Sequence, residues 1–165
     1  MIGLSLRGVA HALGGVLRAL TQEYAVMIAP TNGQTAGFLH NGVAPLLRDG
    51  MRLLYLGDYD LAGGDIEDNT RRVLERYRAL DWKRLALTPD QVRDHRLTPI
   101  IKTDRCFKNG GAHEAVETEA LSQRLIVQIV RDRLDALLPE PLERFRAREE
   151  EERVYVRALL NRRRR

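Results

Sequence analysis

The hydrophobic pattern divides the first part of the chain into alternating helical and extended segments. Apolar residues at helical spacing predict a helix over 8–20. A short apolar run over 24–29, closed by Pro30, predicts a buried strand. Turn residues follow at 31–33, and a second helix is predicted from about 35 to 47.

The same alternation continues through the middle of the chain. The strongest apolar run, 51–57, predicts a second buried strand. A helix is predicted over 65–78, with its acidic residues in the first turn, and a third strand over 82–87. Thr88 as N-cap and Pro89 at the first helical position mark the start of another helix. Strands that alternate with helices predict right-handed crossovers and a parallel sheet.

The C-terminal part of the chain has a different character. Residues 96–116 contain several turn residues and are expected to be irregular. Helical periodicity returns over 119–138 and, after a Pro-Glu-Pro break, over 142–160. This last helix carries many charges, which predicts a solvated surface with ion pairs along the helix.

Composition places these elements in one small globular protein. The chain has 165 residues, the size of one ordinary domain, and 44% hydrophobic residues are enough to form a core. We expect an α/β domain over 1–116, with a parallel sheet flanked by helices. A helical extension over 117–165 is expected to pack on this domain and to end in a basic tail at 162–165.

Charge and cysteine content narrow the classes of function. A net charge of +4 permits a nucleic-acid partner, whereas 5% aromatic residues make base stacking a poor main binding mode. The single cysteine, Cys106, excludes an internal disulfide framework and a Cys-rich zinc site. Because the sequence has neither a membrane-spanning apolar run nor a signal-peptide pattern, we expect a cytoplasmic protein with no membrane partner.

The candidate chemistry lies directly after the second predicted strand, where Asp58 and Asp60 flank Tyr59. Two carboxylates at the carboxyl end of a buried parallel strand lie where open α/β sheets bind ligands. Close carboxylates repel unless a cation joins them, and such oxygen ligands suit Mg²⁺ or Mn²⁺. Gly63 and Gly64 leave room for a phosphate to approach. The alternative is a surface turn whose aspartates cap the following helix.

The residues around these aspartates resemble a known motif. The segment Tyr55–Ile66 resembles the Asp-x-Asp motif of Toprim domains. It is most similar to the form in the A subunit of topoisomerase VI and in the related meiotic recombination protein, which reads Asp-x-Asp-Pro-x-Gly before a helix. Further blocks similar to those of stand-alone bacterial and phage Toprim proteins lie at 32–35, 84–92, 102–105 and 116–121.

The resemblance implies a Toprim-like, Rossmann-like fold and a function on DNA. It implies an Mg²⁺-binding (or Mn²⁺-binding) domain that engages DNA and contributes to strand cleavage or processing. Asp58 and Asp60 match the metal-binding pair of the family, and Gly33 matches a structural position in a loop. Lys102 and Arg105, which the resemblance places near the active end of the sheet, are candidates to hold a phosphate, as is the open backbone at Gly63. A salt bridge within the loop is the alternative for the basic pair.

Two departures from the family pattern affect the expected activity. In the family, a glutamate that ends the strand before the first helix is proposed as general acid/base, and Val9 stands at that position here. Proline of the motif is replaced by Leu61, a milder change. Topoisomerases cut with a tyrosine on an upstream winged-helix domain, for which this chain has no room, so we expect such a domain or a partner subunit elsewhere. By analogy with the family, a homodimer is also expected.

Three readings of the function therefore stay open. The first is the active Toprim domain described above. The second is a catalytically degenerate Toprim scaffold that serves as a DNA-binding or protein-assembly module. The third, a receiver-like or nucleotide-handling α/β domain, lacks the expected order of a strand-end aspartate and a late lysine. Glu117 and Glu119 repeat the two-residue spacing of the aspartates and either add a carboxylate to the site or lie at a helix N-terminus.

Overall fold

The structure, a computed structural model, describes residues 2–7, 11–31, 36–103 and 111–162. The chain divides into two compact units, Met1–Ile129 and Val130–Arg165. The first unit contains all the strands named below and the first four helices. The boundary between the units falls inside the fifth helix.

A four-stranded parallel sheet belongs to the first unit. Its strands are β1 (Ile2–Arg7), β2 (Met27–Thr31), β3 (Met51–Leu56) and β4 (Leu80–Ala86), in the spatial order β2-β1-β3-β4. Gly3 of β1 lies opposite Met27 on one side and Leu53 on the other. The chain thus passes from β1 to β2 in one direction and from β3 to β4 in the other. This reversal creates a switch point between β1 and β3, where open α/β sheets bind ligands.

Helices connect the parallel strands, as the alternation of the sequence predicts. They are α1 (His11–Glu23), α2 (Ala36–Phe38) and α3 (Leu61–Glu75). α2 continues into a π-helical turn at Leu39–Val43 and a 3-10 turn at Ala44–Leu46, where a single regular helix was expected. The mixed α/β class, with a short parallel sheet flanked by helices, is confirmed.

The predicted start of the next helix is also confirmed. α4 (Pro89–Asp94) has Thr88 as N-cap, whose side chain accepts a hydrogen bond from the Gln91 backbone N–H at 3.3 Å. The Gln91 side chain in turn accepts from the Thr88 backbone N–H at 3.0 Å. This reciprocal pair satisfies two backbone donors that the first turn of a helix leaves unpaired.

Among the strands whose side-chain burial is described, β3 is the most buried. Met51, Leu53, Leu54, Tyr55 and Leu56 are each at most 3% exposed, as the apolar run predicts. Around its first half lies a core cluster formed by Leu39, Ala44, Leu47, Met51, Leu53, Val73 and Leu74. The buried strand therefore holds a fixed position from which the following residues emerge.

Two parts of the sheet structure correct the expectations from the sequence. β1 has no counterpart among the strands predicted from the hydrophobic pattern. The stretch expected to be irregular contains a two-stranded antiparallel sheet, β5 (Ile100–Thr103) with β6 (Ala112–Ala115). Each of its strands has only four residues, and β5 exposes both Ile100 and Ile101. The sequence therefore has no alternation of apolar and polar positions from which this sheet could be predicted.

The remaining elements are helical. The first long helix among them is shorter than the predicted range 119–138. A 3-10 turn at Thr118–Ala120 precedes α5 (Gln123–Asp135), and α6 (Leu142–Arg162) follows after the predicted break. In the second unit, Val130 and Leu134 of α5 are fully buried. No helix in the described stretches is long and apolar enough to cross a membrane.

Candidate functional site

The candidate site lies at the switch point of the parallel sheet. Leu56, the last residue of β3, pairs in register with Leu6 of β1, so the carboxyl ends of the two central strands are adjacent. Gly57 and Asp58 follow β3 directly. Val9, which stands where the family has a glutamate, follows β1 and lies outside the described residues.

The turn after β3 is fixed to the turn after β4. The Gly57 N–H donates to the Ala86 carbonyl at 2.7 Å, and the Leu87 N–H donates to the Gly57 carbonyl at 2.7 Å. A Cβ atom on Gly57 would lie 2.7 Å from the ring of Tyr55. A glycine is therefore favoured here, because a Cβ atom would collide with the buried Tyr55 side chain.

The Asp58 carboxylate is oriented by a residue far away in the sequence. Its Oδ1 accepts hydrogen bonds from the backbone N–H of Thr118 at 2.9 Å and from the Thr118 hydroxyl at 3.0 Å. Next to it, Tyr59 and Val116 exchange two backbone hydrogen bonds of 2.8 and 2.9 Å. Within the described residues, Asp58 Oδ2 makes no hydrogen bond.

Asp60 is the N-cap of α3. Its Oδ1 accepts a hydrogen bond of 2.5 Å from the Gly63 N–H, so the helix begins at Leu61 and not at the predicted 65. The acidic residues of α3 consequently lie beyond its first turn. A Cβ atom on Gly63 would lie 2.3 Å from the Asp58 carbonyl oxygen, so close packing requires a glycine at this position. We call residues 57–63, the turn after β3 and the start of α3, the corner. The capping alternative thus holds for Asp60, but it uses only one of the two carboxylate oxygens.

Lys102 joins the second oxygen of Asp60 to a further acid. Its Nζ lies 3.2 Å from Asp60 Oδ2 and 3.0 Å from Glu117 Oε1. The Asp60 side chain is 4% exposed and that of Glu117 49%. Burial by itself lowers the pKa of Lys102, but the hydrogen bonds and charges of Glu117 and Asp60 outweigh it and raise the pKa above its ordinary value. Lys102 is therefore a firmly charged cation between two carboxylates.

Arg84 of β4 stabilises the corner by hydrogen bonds to its backbone. Its guanidinium donates to the carbonyl oxygens of Gly57 at 3.1 Å, Asp58 at 2.7 Å and Leu87 at 2.7 Å. Its remaining Nη1 forms an ion pair with Glu67 of α3. One planar side chain thus satisfies three backbone carbonyls and ties the turn to the helix that follows it.

The structure brings together part of the predicted set of site residues. Asp58, Asp60, Gly63 and Lys102 lie at one corner, and Lys102 lies on strand β5 where a loop was expected. Gly33 and Arg105 lie outside the described residues.

Three residues at this corner were assigned little or no role from the sequence. Thr118 and Arg84 were not singled out. For Glu117, two roles were left open, a further carboxylate of the site or a residue at a helix N-terminus. A signal existed for Arg84, because an arginine within an apolar strand segment requires partners for its five N–H donors.

The side chains at this corner fit a hard divalent cation by chemistry. Mg²⁺ prefers carboxylate oxygens and is commonly held by one or two carboxylates together with waters and phosphate oxygens. Asp58 and Asp60 supply such a pair. No group of three His, Cys, Asp or Glu side chains that could hold a metal occurs in the described part of the chain. The described residues thus bring two carboxylates to this corner, one of which is paired with Lys102.

Comparisons of this chain with protein-family models, with curated proteins and with solved structures found no match. The physical arrangement of the corner is therefore the basis for assigning a function.

Proposed function

We propose that this chain is a Toprim-like domain that binds Mg²⁺ or Mn²⁺ through Asp58 and Asp60 and engages DNA through its phosphates. In this proposal, the domain contributes to strand cleavage or processing as part of a larger protein or complex. The observation that carries it is the placement of two oriented carboxylates at the switch point of a parallel sheet. A pair of carboxylates used only for capping would not need both to be anchored there.

Asp58 has one oxygen bonded to the protein and offers the other to a ligand, whereas the second oxygen of Asp60 is paired with Lys102, which a cation would displace. Asp58 Oδ1 is held by Thr118 and Asp60 Oδ1 by Gly63, so both carboxylates are oriented before any ligand arrives. The two Oδ2 atoms are the proposed cation ligands. A bound divalent cation would neutralise negative charge on a phosphodiester and stabilise the charge that develops during its cleavage.

The charge of the site explains why a cation must come before DNA. Asp58, Asp60 and Glu117 carry three negative charges, and Lys102 is the only basic side chain bonded to them within the described residues. A phosphate meets net repulsion until a divalent cation binds. Cation binding at Asp60 also frees Lys102, whose ammonium can then turn to a phosphate oxygen.

The catalytically degenerate scaffold is the second candidate, and one observation favours it. Phosphodiester cleavage needs a proton-transfer group as well as a cation. Val9 stands at the family's glutamate position, and Glu117, the further acid at this corner, is paired with Lys102. In this candidate, the site binds cation and DNA without cutting.

Plasmid cleavage and DNA binding separate the two candidates. The full chain is mixed with supercoiled plasmid and Mg²⁺ or Mn²⁺, and nicking and gel retardation are measured in parallel. Asp58→Asn is the test variant, because asparagine still accepts the Thr118 hydrogen bonds but removes one charge. Asp65→Asn, at an exposed position of α3, is the matched control.

Nicking by the parent and Asp65→Asn, lost in Asp58→Asn, supports the active domain. Cation-dependent DNA binding without nicking, again lost only in Asp58→Asn, supports the scaffold. DNA binding and nicking that are independent of the cation and unchanged in Asp58→Asn would refute both.

A further inference from the structure

Glu117, which follows strand β6, lies on the same side of the backbone as the two aspartates. Tyr59 and Val116 form an antiparallel bridge, so their side chains share one side. The backbone is extended at Glu117 and at Asp60, with φ of −79° and −150°. Because successive side chains of extended backbone alternate between sides, the neighbours of this bridge, Asp58, Asp60 and Glu117, lie together on the other side.

The register of the β5–β6 pair gives the same division. Lys102 lies opposite His113, and His113 stands four positions before Glu117, so all three point to one side. The distance of 3.0 Å between Lys102 Nζ and Glu117 Oε1 agrees with this placement. Ile101 lies opposite Glu114, which is exposed and points to the other side. Two acids three positions apart are thus on opposite faces, one facing the cation site and one facing away.

Glu117 is also the acid of this face that solvent can reach. Its side chain is 49% exposed, whereas that of Asp60 is 4% exposed. It precedes the 3-10 turn Thr118–Ala120, but its side chain makes no capping hydrogen bond. A water molecule can therefore approach its carboxylate, as the acceptor of a water proton requires.

We propose, on the basis of the function proposed above, that Glu117 is the catalytic residue that accepts the proton in the cleavage step. A water oxygen attacks the phosphorus of the phosphodiester, and the proton of that water passes to the Glu117 carboxylate. The bond from phosphorus to the leaving deoxyribose oxygen breaks, its electron pair stays on that oxygen, and the oxygen takes a proton from solvent. Glu117 then returns its proton to solvent.

The ion pair with Lys102 is compatible with this role. In the proposed function, Lys102 turns from Asp60 to a phosphate oxygen of the DNA. The Glu117 oxygen that accepts from Lys102 then becomes available to a water proton, since a carboxylate acts as an acceptor. Glu117 is thus paired while the site is without DNA and is released when the substrate is present.

Glu117→Gln tests the proposal, with Glu114→Gln as the matched control on the opposite face of β6. Glutamine keeps the shape and can accept a hydrogen bond from Lys102, but it does not take up a water proton. At saturating Mn²⁺, plasmid nicking by Glu117→Gln is expected to be slower by about 100-fold or more. Its Mn²⁺ affinity, followed by electron paramagnetic resonance, should change by no more than about threefold, because this half-exposed acid is not a cation ligand.

Three further measurements complete the test. Glu114→Gln should match the parent in nicking and in Mn²⁺ affinity, and Glu117→Asp, which keeps a carboxylate, should recover part of the nicking rate. Gel retardation should show the same DNA binding for Glu117→Gln as for the parent. Circular dichroism checks that each variant is folded.

The outcomes separate this proposal from the function on which it rests. Nicking by Glu117→Gln at the rate of the parent would overturn it, and so would loss of Mn²⁺ binding in that variant, which would make Glu117 a cation ligand. A parent that binds Mn²⁺ and DNA without nicking would overturn it as well and leave the scaffold as the function. A parent that binds no Mn²⁺ would overturn both this proposal and the cation site.

Discussion

The corner after β3 is held by contacts between distant parts of the sequence, whereas helix α6 is held by contacts between residues close in sequence. At the corner, Asp58 is held by a residue 60 positions away, and Asp60 pairs with one 42 positions away in addition to its local cap at Gly63. Arg84 reaches carbonyls 26 and 27 positions back. In α6, the pairs of Arg153 with Glu149 and Glu150 span three or four positions. The corner is thus made by the tertiary fold, whereas α6 is supported by contacts between neighbouring turns.

This difference separates two kinds of charged side-chain cluster. Charged groups held by distant parts of the chain keep a fixed geometry, which a cation site needs because its ligands must converge before binding. Charged groups on a helix that is supported only by contacts between its own turns can change their geometry more easily. Single substitutions at four places test this contrast, from the largest expected effect to the smallest.

The largest effect is expected from the arginine beneath the corner. Arg84→Leu removes the donors of three carbonyls and leaves Glu67 without its cation, and breaking a mostly buried pair costs about 3 kcal/mol of unfolding free energy. Urea denaturation measures the loss. The control is Arg52→Leu, which breaks a pair with Asp81 across β3 and β4 whose side chains are 45% and 52% exposed. It should cost less than about 1 kcal/mol, and equal losses in the two variants would contradict the contrast.

The next largest effect concerns the two adjacent glycines of α3. Gly63→Ala forces a Cβ to within 2.3 Å of the Asp58 carbonyl oxygen, so the helix start must shift, at a cost of about 2 kcal/mol. Gly64→Ala meets no atom within 4 Å and should stabilise the helix by up to about 1 kcal/mol. Thermal unfolding of both variants checks the opposite signs. A stabilised Gly63→Ala would show that the corner is not tightly closed.

A smaller effect, dependent on pH, is expected at Lys102. Because its pKa is raised above the ordinary 10.5, the ion pairs with Asp60 and Glu117 stabilise the fold fully below that pH. This stability is lost as the pH rises through the raised pKa. In metal-free buffer, the difference in unfolding free energy between parent and Lys102→Met should be constant from neutral pH to about pH 10 and shrink above it. Lys83→Met, at an exposed position of β4, is the control, and the same pH profile in both would refute the assignment.

The smallest effect is expected in α6. Arg153→Ala removes two pairs of 3.6 and 3.9 Å between side chains that are more than half exposed. Such pairs contribute less than about 0.5 kcal/mol each. Chemical denaturation measures the change. A loss similar to that of Arg84→Leu would mean that α6 depends on more than contacts between its own turns.

The sequence predicted what depends on local pattern. The apolar run of β3 and the Thr88–Pro89 start of α4 were found because burial and capping leave marks within a few residues. Asp58 and Asp60 were identified through their position at the end of that run. The support from Thr118 was not, since no pattern within a short window reports a contact across 60 positions.

Short strands and ambiguous glycines account for the other differences between the predicted and the observed elements. β5 and β6 have only four residues each, and β1, like them, is stabilised by pairing with strands elsewhere in the chain. The helix α3 began earlier than predicted, because the glycines at 63 and 64 suggested a loop although Asp60 closes the first turn around Gly63. Local propensity was overruled there by a capping contact and by close packing.

The most direct test of the cation site is a titration of Mn²⁺ followed by electron paramagnetic resonance, in which bound Mn²⁺ loses the sharp signal of the free ion. The parent is expected to bind Mn²⁺ saturably, with Mg²⁺ in competition, Lys102→Met to bind more tightly because its competing ammonium is gone, and Asp58→Asn to bind at least tenfold more weakly. Asp65→Asn should match the parent. Binding that is absent in the parent, or unchanged in Asp58→Asn, would contradict the assignment of Asp58 and Asp60 as a divalent-cation site.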